Sequence, residues 1–270
     1  MTLPPEVLDK VLEHIPAESE GRPTLIACAL VATWWAGPSQ RRLFSSVLIH
    51  SENYEQWMNG VVLSGSKTHL LGHVRSLRHY PCTPDTGSYP MRDFPKDSGE
   101  YLSALHNIRS LELANIRIEH IGEEGFRTCF SAFRETLTDL SLMVFITSFS
   151  AFVTLVDYFP NITTLRLSML TMDPEEGPVP SLSRPLRGRI SLCYIHPGCV
   201  EFFDRLAGLD PEYEELVLET CLSMDTKLLE SILQLGASAV KYLRLTTQLQ
   251  RKHPHYVSFS LCSITQALTF

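Results

Sequence analysis

The segment NIRSLEL, residues 107–113, carries the pattern that decides the fold: an apolar residue, two spacers, a leucine, one spacer and another leucine. Full or partial copies are HVRSLRH (73–79), TLTDLSL (136–142), NITTLRL (161–167), LRGRISL (186–192), YEELVL (213–218) and AVKYLRL (239–245). From residue 111 to residue 243 the first central positions are 25–29 residues apart, and the step from 77 to 111 is longer, at 34. Such a period is typical of stacked repeats.

Each copy alternates apolar and polar residues, and this alternation predicts a strand. The segments between the copies have helical apolar spacing, at residues 125–135, 148–159, 200–209 and 225–235. One strand and one helix cannot bury their own apolar faces, so the units must stack. The sequence therefore predicts an α/β repeat solenoid within residues 50–270. VSFSL, residues 257–261, also alternates like a strand, and this tail either packs back as a cap or belongs to an array that is cut short.

The first 49 residues have a different pattern, which predicts three short helices. LPPEVLDKVLEHIP, residues 3–16, places five apolar residues on one helical stripe between prolines that suit a helix start and a helix stop. TLIACALVATWW, residues 24–35, predicts a second helix, and Ser39 is a plausible N-cap of a third. A unit of this size is marginal alone and should pack on the repeats or on a partner.

The N-terminal sequence resembles the F-box in its LPPE opening, its CALV segment, Trp35 and the RRLF that leads into SVLI. The repeats resemble leucine-rich repeats, and the order of the two is a familiar family arrangement. The resemblance implies that the helices dock on the Skp adaptor of a cullin–RING ubiquitin ligase, while the repeats select a substrate protein. By motif position, the adaptor-binding residues would be Leu3, Pro4, Leu8, Leu12, Leu30, Val31 and Trp35. We expect Val11 and Ile15 to pack within the motif's own core.

The spacer between the two central positions of each repeat should point away from the core, along one face of the sheet. This column reads Arg78, Glu112, Ser141, Arg166, Ser191, Val217 and Arg244, and Tyr242 lies beside it. We predict that these residues form a substrate-binding strip. The alternative is that they are ordinary solvated residues and that partners bind loops at the rim.

Composition excludes several other classes of protein. The formal charge is −7, and the 23 lysines and arginines form no long run, so a nucleic-acid partner is not expected. Seven widely spaced cysteines favour a reducing compartment, cytoplasmic or nuclear. The longest uncharged stretch, residues 140–156, is shorter than the roughly 20 residues that a membrane span needs.

Two motifs with chemical potential are weak. GVVLSGSKT, residues 60–68, resembles a phosphate-binding loop, but Ser66 separates the second glycine from Lys67. Cys193, His196 and Cys199 have a zinc-like spacing without an evident fourth ligand. The sequence predicts no catalytic, metal or cofactor site, and therefore a non-catalytic adaptor. The alternative is a scaffold protein in which the N-terminal helices only cap the repeats.

Overall fold

A computed structural model describes residues 4–17, 20–65, 67–80, 92–93, 98–117, 122–172, 180–219, 226–235, 240–247 and 255–260. The N-terminal unit contains helices α1 (Pro5–Glu13), α2 (Arg22–Val31) and α3 (Thr33–Leu43). The strands are β1 (Ser46–His50), β2 (Ser76–Tyr80), β3 (Arg92–Asp93), β4 (Ser110–Ala114), β5 (Ile116–Arg117), β6 (Asp139–Thr147), β7 (Thr164–Met172), β8 (Arg187–Cys193), β9 (Glu212–Glu219), β10 (Tyr242–Thr247) and β11 (His255–Ser260). The remaining α-helices are α4 (Tyr54–Trp57), α5 (Ser98–Ser103), α6 (Gly122–Phe130), α7 (Phe149–Tyr158), α8 (Val200–Ala207) and α9 (Thr226–Gln234).

The strands form one open sheet in the order β1-β2-β4-β6-β7-β8-β9-β10-β11. Neighbours pair in parallel from β1 to β10, whereas β11 pairs antiparallel with β10. Helices alternate with the strands, which confirms the predicted α/β arrangement of strand–helix units. The short strands β3 and β5 pair with each other beside the main path.

The apolar template positions lie in one large core between the sheet and its helices. Ile108, Leu111 and Leu113 are all buried, and so are the equivalent residues of the next four units, which begin at Leu137, Ile162, Leu186 and Tyr213. The core continues through an aromatic cluster in which Phe130, Phe133 and Phe159 pack with ring centroids 5.7–6.2 Å apart. The continuous core explains how units too small to fold alone are stabilised by stacking.

The N-terminal helices build a second, smaller core from Leu8, Leu12, Leu25 and Leu43. The predicted second helix is interrupted, because α2 ends at Val31 and Ala32 is extended with φ −158° and ψ 150°. Ser39 is not an N-cap: it is buried inside α3, directly after Pro38, which this helix accommodates. The strand β1, which the sequence analysis assigns to the N-terminal unit, pairs with β2 in the sheet.

A glycine sets the geometry of strand β8. Gly188 has φ +88° and lies at a β-bulge opposite Tyr213 of β9. A Cβ at this position would lie 2.2 Å from the carbonyl oxygen of Thr163 on the preceding unit. Only glycine fits both the backbone conformation and this close approach.

Candidate protein-binding surfaces

Helix α1 is fixed to α3 by two arginines. The Arg41 Nη2 atom lies 2.9 and 3.0 Å from the two carboxylate oxygens of Asp9. Arg42 donates to the carbonyl oxygens of Ile15 and Glu13, where α1 has lost its intrahelical donors. These bonds hold α1 and α3 together beside the small core.

Large apolar side chains on all three helices remain exposed. We call them the N-terminal apolar residues: Val7 and Val11 of α1, Ile26, Leu30 and Val31 of α2, and Trp34 of α3. Leu30 is 81% exposed and Val31 is 73% exposed, the highest values among the exposed large apolar side chains of the described chain. Exposed apolar side chains concentrated in one small unit are typical of a protein–protein contact.

The residues predicted to bind an adaptor fall into several environments. Leu30 and Val31 are accessible, and so is Pro4, whose carbonyl oxygen accepts from the backbone N–H groups of Val7 and Leu8. Leu8 and Leu12 are buried, so they shape the exposed surface from beneath rather than form it. Trp35 packs against the small core, and Leu3 lies outside the described residues.

Part of this exposed apolar surface differs from the expectation drawn from the sequence. Val11 is 46% exposed, so the expectation that it packs in the core is wrong, whereas Ile15 does pack there. Successive helical residues are about 100° apart, and the apolar set of α1 therefore makes two adjacent stripes. Leu8 and Leu12 face the core, whereas Val7 and Val11 face outward. The unusually wide apolar stripe of this helix is the sequence signal that could have revealed the exposed residues.

The predicted column on the sheet is confirmed by the strand register. Neighbouring pairs are Arg78↔Glu112, Glu112↔Ser141, Ser141↔Arg166, Arg166↔Ser191, Ser191↔Val217 and Val217↔Arg244. Parallel strands lie about 4.8 Å apart, so these residues follow one another across the sheet. We call this row the strand-face column.

Exposure varies along the strand-face column. Arg166, Arg244 and the adjacent Tyr242 are exposed, and Arg78, Glu112 and Ser141 are half-buried. Ser191 and Val217 are buried, so the expectation that they offer a binding surface is wrong. Both side chains are short, and longer arginine and glutamate side chains flank them; the Ser191 hydroxyl also lies 3.4 Å from the Glu219 carboxylate.

Charges beside the column are largely paired within the sheet. The Glu215 carboxylate is shared by Arg189, at 3.9 Å, and Arg244, at 3.7 Å. The Glu112 carboxylate accepts from the Tyr80 hydroxyl, and burial together with this bond raises the pKa of Tyr80. Arg166 has neither an ion pair nor a hydrogen bond through its side chain within the described part of the chain. It therefore presents an exposed cation near the middle of the sheet.

The phosphate-loop-like segment and the Cys193, His196 and Cys199 group were the two weak chemical motifs, and the structure shows the surroundings of both. Residues 58–62, which overlap the start of the phosphate-loop-like region, form a helical turn rather than the strand that a P-loop follows. Burial raises the pKa of Cys199 to about 11, and its thiol donates to the carbonyl oxygen of Leu170. His196 Nδ1 accepts from the Gly198 N–H. Within the ranges described, no three His, Cys, Asp or Glu side chains cluster so as to hold a metal ion.

The described helices are all too short or too polar to cross a bilayer. A comparison with models of known protein families found no match to this chain. A comparison with curated protein sequences found no match either.

Proposed function

We propose that this chain is the substrate-recognition subunit of an SCF-type cullin–RING ubiquitin ligase. Its N-terminal helices would dock on the Skp adaptor as an F-box does, and its strand–helix units would bind a target protein as leucine-rich repeats do. Catalysis would then belong to other subunits, and this chain would need no active site of its own.

The observation that carries the proposal is the exposure of the N-terminal apolar residues. Leu30 and Val31 occupy positions that the F-box resemblance assigns to adaptor contact, and both are more than 70% exposed. Leaving two aliphatic side chains in water forgoes about 1.5–3 kcal/mol each relative to burial, so a partner that covers them gains that energy. The small core and the arginine contacts of Arg41 and Arg42 keep the helices in place before the partner arrives.

The substrate would bind the strand-face column. Arg166, Tyr242 and Arg244 are exposed there, and arginine and tyrosine are enriched among the residues that dominate binding energy. The remaining column positions would supply a polar surround rather than anchors.

Co-purification tests the adaptor half of the proposal. We expect the full chain to retain the Skp adaptor, and through it a cullin, on an affinity column. The variant Leu30→Ser/Val31→Ser should lose the adaptor. The control is Leu63→Ser, because Leu63 is also exposed, at 62%, but lies outside the three helices. Adaptor binding that survives the double substitution, or that is absent from the wild type, rejects the assignment.

A second candidate function is a leucine-rich-repeat scaffold in which the helices only cap the first units. The observation that favours it is that α3 contacts the turn Thr68–His73, just before strand β2. A cap and a docking surface differ in measurable ways. If the helices only cap, Leu30→Ser/Val31→Ser should leave every partner bound, since neither side chain lies in a core.

A further inference from the structure

A cavity of about 470 Å³ lies where the N-terminal helices meet the first strands of the sheet. This volume falls within the usual range for small-molecule sites. Its walls come from the loop before α2, the end of α3, strand β1, helix α4 and strand β2. Two of the lining residues, Leu48 and Arg78, are register partners on the same face of the sheet.

Part of the cavity wall is apolar. Leu43 and Phe44 at the end of α3, Leu48 of β1 and Trp57 of α4 contribute this part. Leu43 already belongs to the small core and Trp57 packs against the large one, so the two cores hold the wall from both sides. Such a wall favours a flat or compact apolar group.

The charged groups at the cavity all have one sign. Arg22, in the first turn of α2, and Arg78, on β2, both line it. Among the described lining residues there is no carboxylate. Guanidinium groups donate hydrogen bonds in a geometry that suits carboxylate and phosphate oxygens. The two lining arginines therefore favour an anion; Glu112, the register neighbour of Arg78 on the next strand, is not among the lining residues.

The outer edge of β1, the first strand in the described sheet order, supplies further polar groups. Asn53 occupies part of this edge, since its side chain accepts from the His50 N–H and donates to the Leu48 carbonyl oxygen, both at 2.8 Å. Backbone groups of alternate strand residues point to opposite edges. The carbonyl group of Ser46 and the N–H of Leu48 therefore point to the same outer edge as the two groups that Asn53 holds. Ser46 and Leu48 both line the cavity.

We propose that this cavity binds a small amphipathic anion: an apolar body that carries one carboxylate or phosphate group. The anionic group meets Arg22 and Arg78, and the apolar body packs against Leu43, Phe44 and Trp57. This inference is independent of adaptor docking, because none of the N-terminal apolar residues lines the cavity.

Calorimetric titration of the full chain tests the site with four probes. These are 4-phenylbutyrate, phenyl phosphate, the uncharged 4-phenyl-1-butanol and inorganic phosphate. We expect binding of the first, the second or both, and at least tenfold weaker binding of the alcohol and of inorganic phosphate. Preference between the two aromatic anions identifies whether the site takes a carboxylate or a phosphate ester. The proposal is overturned if 4-phenylbutyrate and the alcohol bind equally, or if phenyl phosphate and inorganic phosphate bind equally. It is also overturned if neither aromatic anion binds.

Variants tie the binding to this cavity. Arg22→Met and Arg78→Met should each weaken the preferred anion about tenfold, the effect of losing one charge-assisted hydrogen bond. Arg109→Met is the control, since Arg109 is exposed and does not line the cavity. Ser46→Leu, which places an apolar side chain in the space, should abolish binding. Arg22 is exposed on its helix, so its variant remains informative if Arg78→Met does not fold. Unchanged affinity in Arg22→Met and Ser46→Leu places the anion elsewhere and rejects the site.

Discussion

The phenol oxygen of Tyr101 in helix α5 lies 2.6 Å from Nδ1 of His79 in strand β2, and both residues are buried. The two rings are stacked with centroids 6.1 Å apart. His79 occupies a template position that is leucine in most of the other units. An ionisable side chain in the large core makes the stability of the protein depend on pH.

Acid should destabilise the protein through His79. Burial lowers the pKa of His79 to about 4 from 6.5, so between these pH values the unfolded chain binds a proton that the folded chain does not. The stability contributed by neutral His79 is present above pH 6.5 and is lost as the pH falls towards 4. The expected loss from this group is about 2 kcal/mol between pH 7 and pH 5.

Urea unfolding at the two pH values measures this loss. The matched variant is His79→Leu/Tyr101→Phe, which removes both members of this hydrogen bond. Burial also lowers the pKa of His73. His73 is present in both proteins, so its effect on stability cancels in the comparison. An equal loss of stability in wild type and variant would show that His79 does not carry the effect.

The phase of the strands gives a second prediction. Leu165→Ala should cost about 2–5 kcal/mol, because Leu165 is buried in the large core. Ser141→Ala should cost less than about 1 kcal/mol, because Ser141 lies on the strand-face column and its hydroxyl has no hydrogen-bond partner among the described residues. Chemical denaturation of both variants checks the difference, and similar costs would contradict the assigned phase.

Tyr213 gives a prediction of increased stability. It is buried, and its hydroxyl finds no hydrogen-bond partner in the described part of the chain; burial also raises its pKa. Tyr213→Phe removes a desolvated polar group and should stabilise the protein by about 1 kcal/mol. The control Tyr242→Phe, at a residue that is 55% exposed, should leave the free energy of unfolding unchanged. A loss of stability in Tyr213→Phe would mean that the hydroxyl has a partner after all.

Gly188 should not tolerate any side chain. Gly188→Ala combines an unfavourable positive φ with a contact of 2.2 Å to the Thr163 carbonyl oxygen, and we expect a loss of about 2–4 kcal/mol. Gly72→Ala is the comparison, because a Cβ at Gly72 meets no atom within 4 Å. Thermal melts of the two variants distinguish them, and equal midpoints would disprove the role of the bulge.

The strand-face column should govern substrate binding. Arg166→Glu/Arg244→Glu reverses two exposed charges about 14 Å apart across the sheet, three strand spacings. We expect the protein that co-purifies with wild type to be lost while the adaptor is kept. Arg109→Glu, on the loop before β4, is the matched control. Retention of the partner by the double variant would direct attention to the loops at the rim.

Periodicity made the sheet predictable, because the units from Ile108 to Leu218 bury the same template positions. The register across the strand-face column follows directly from that spacing. The break between α2 and α3 was not predictable, since Ala32 is a good helix former and nothing local marks it as an ending. Ser39 was misassigned for a related reason: its residue type suits a cap, but packing places it inside α3.

The binding surfaces were only partly predictable. Leu30 and Val31 follow from motif position, whereas the exposure of Val11 depends on which of two apolar stripes of α1 meets α3. The burial of Ser191 and Val217 depends on side chains from neighbouring strands, which a single repeat does not reveal. The cavity between the helices and β1 is lined by both Arg22 and Arg78. These residues are far apart in sequence, so no local sequence pattern predicts that they lie at the same site.

The pairing of β6 with β7 runs from Asp139↔Thr164 to Thr147↔Met172, the full length of both strands. In a stack, each unit touches only its neighbours, and resistance to unfolding is the sum over successive interfaces. Opening that starts at either end of the sheet therefore meets its greatest resistance near the middle. We therefore expect partial unfolding to begin at the ends of the sheet and to reach the interface between β6 and β7 last.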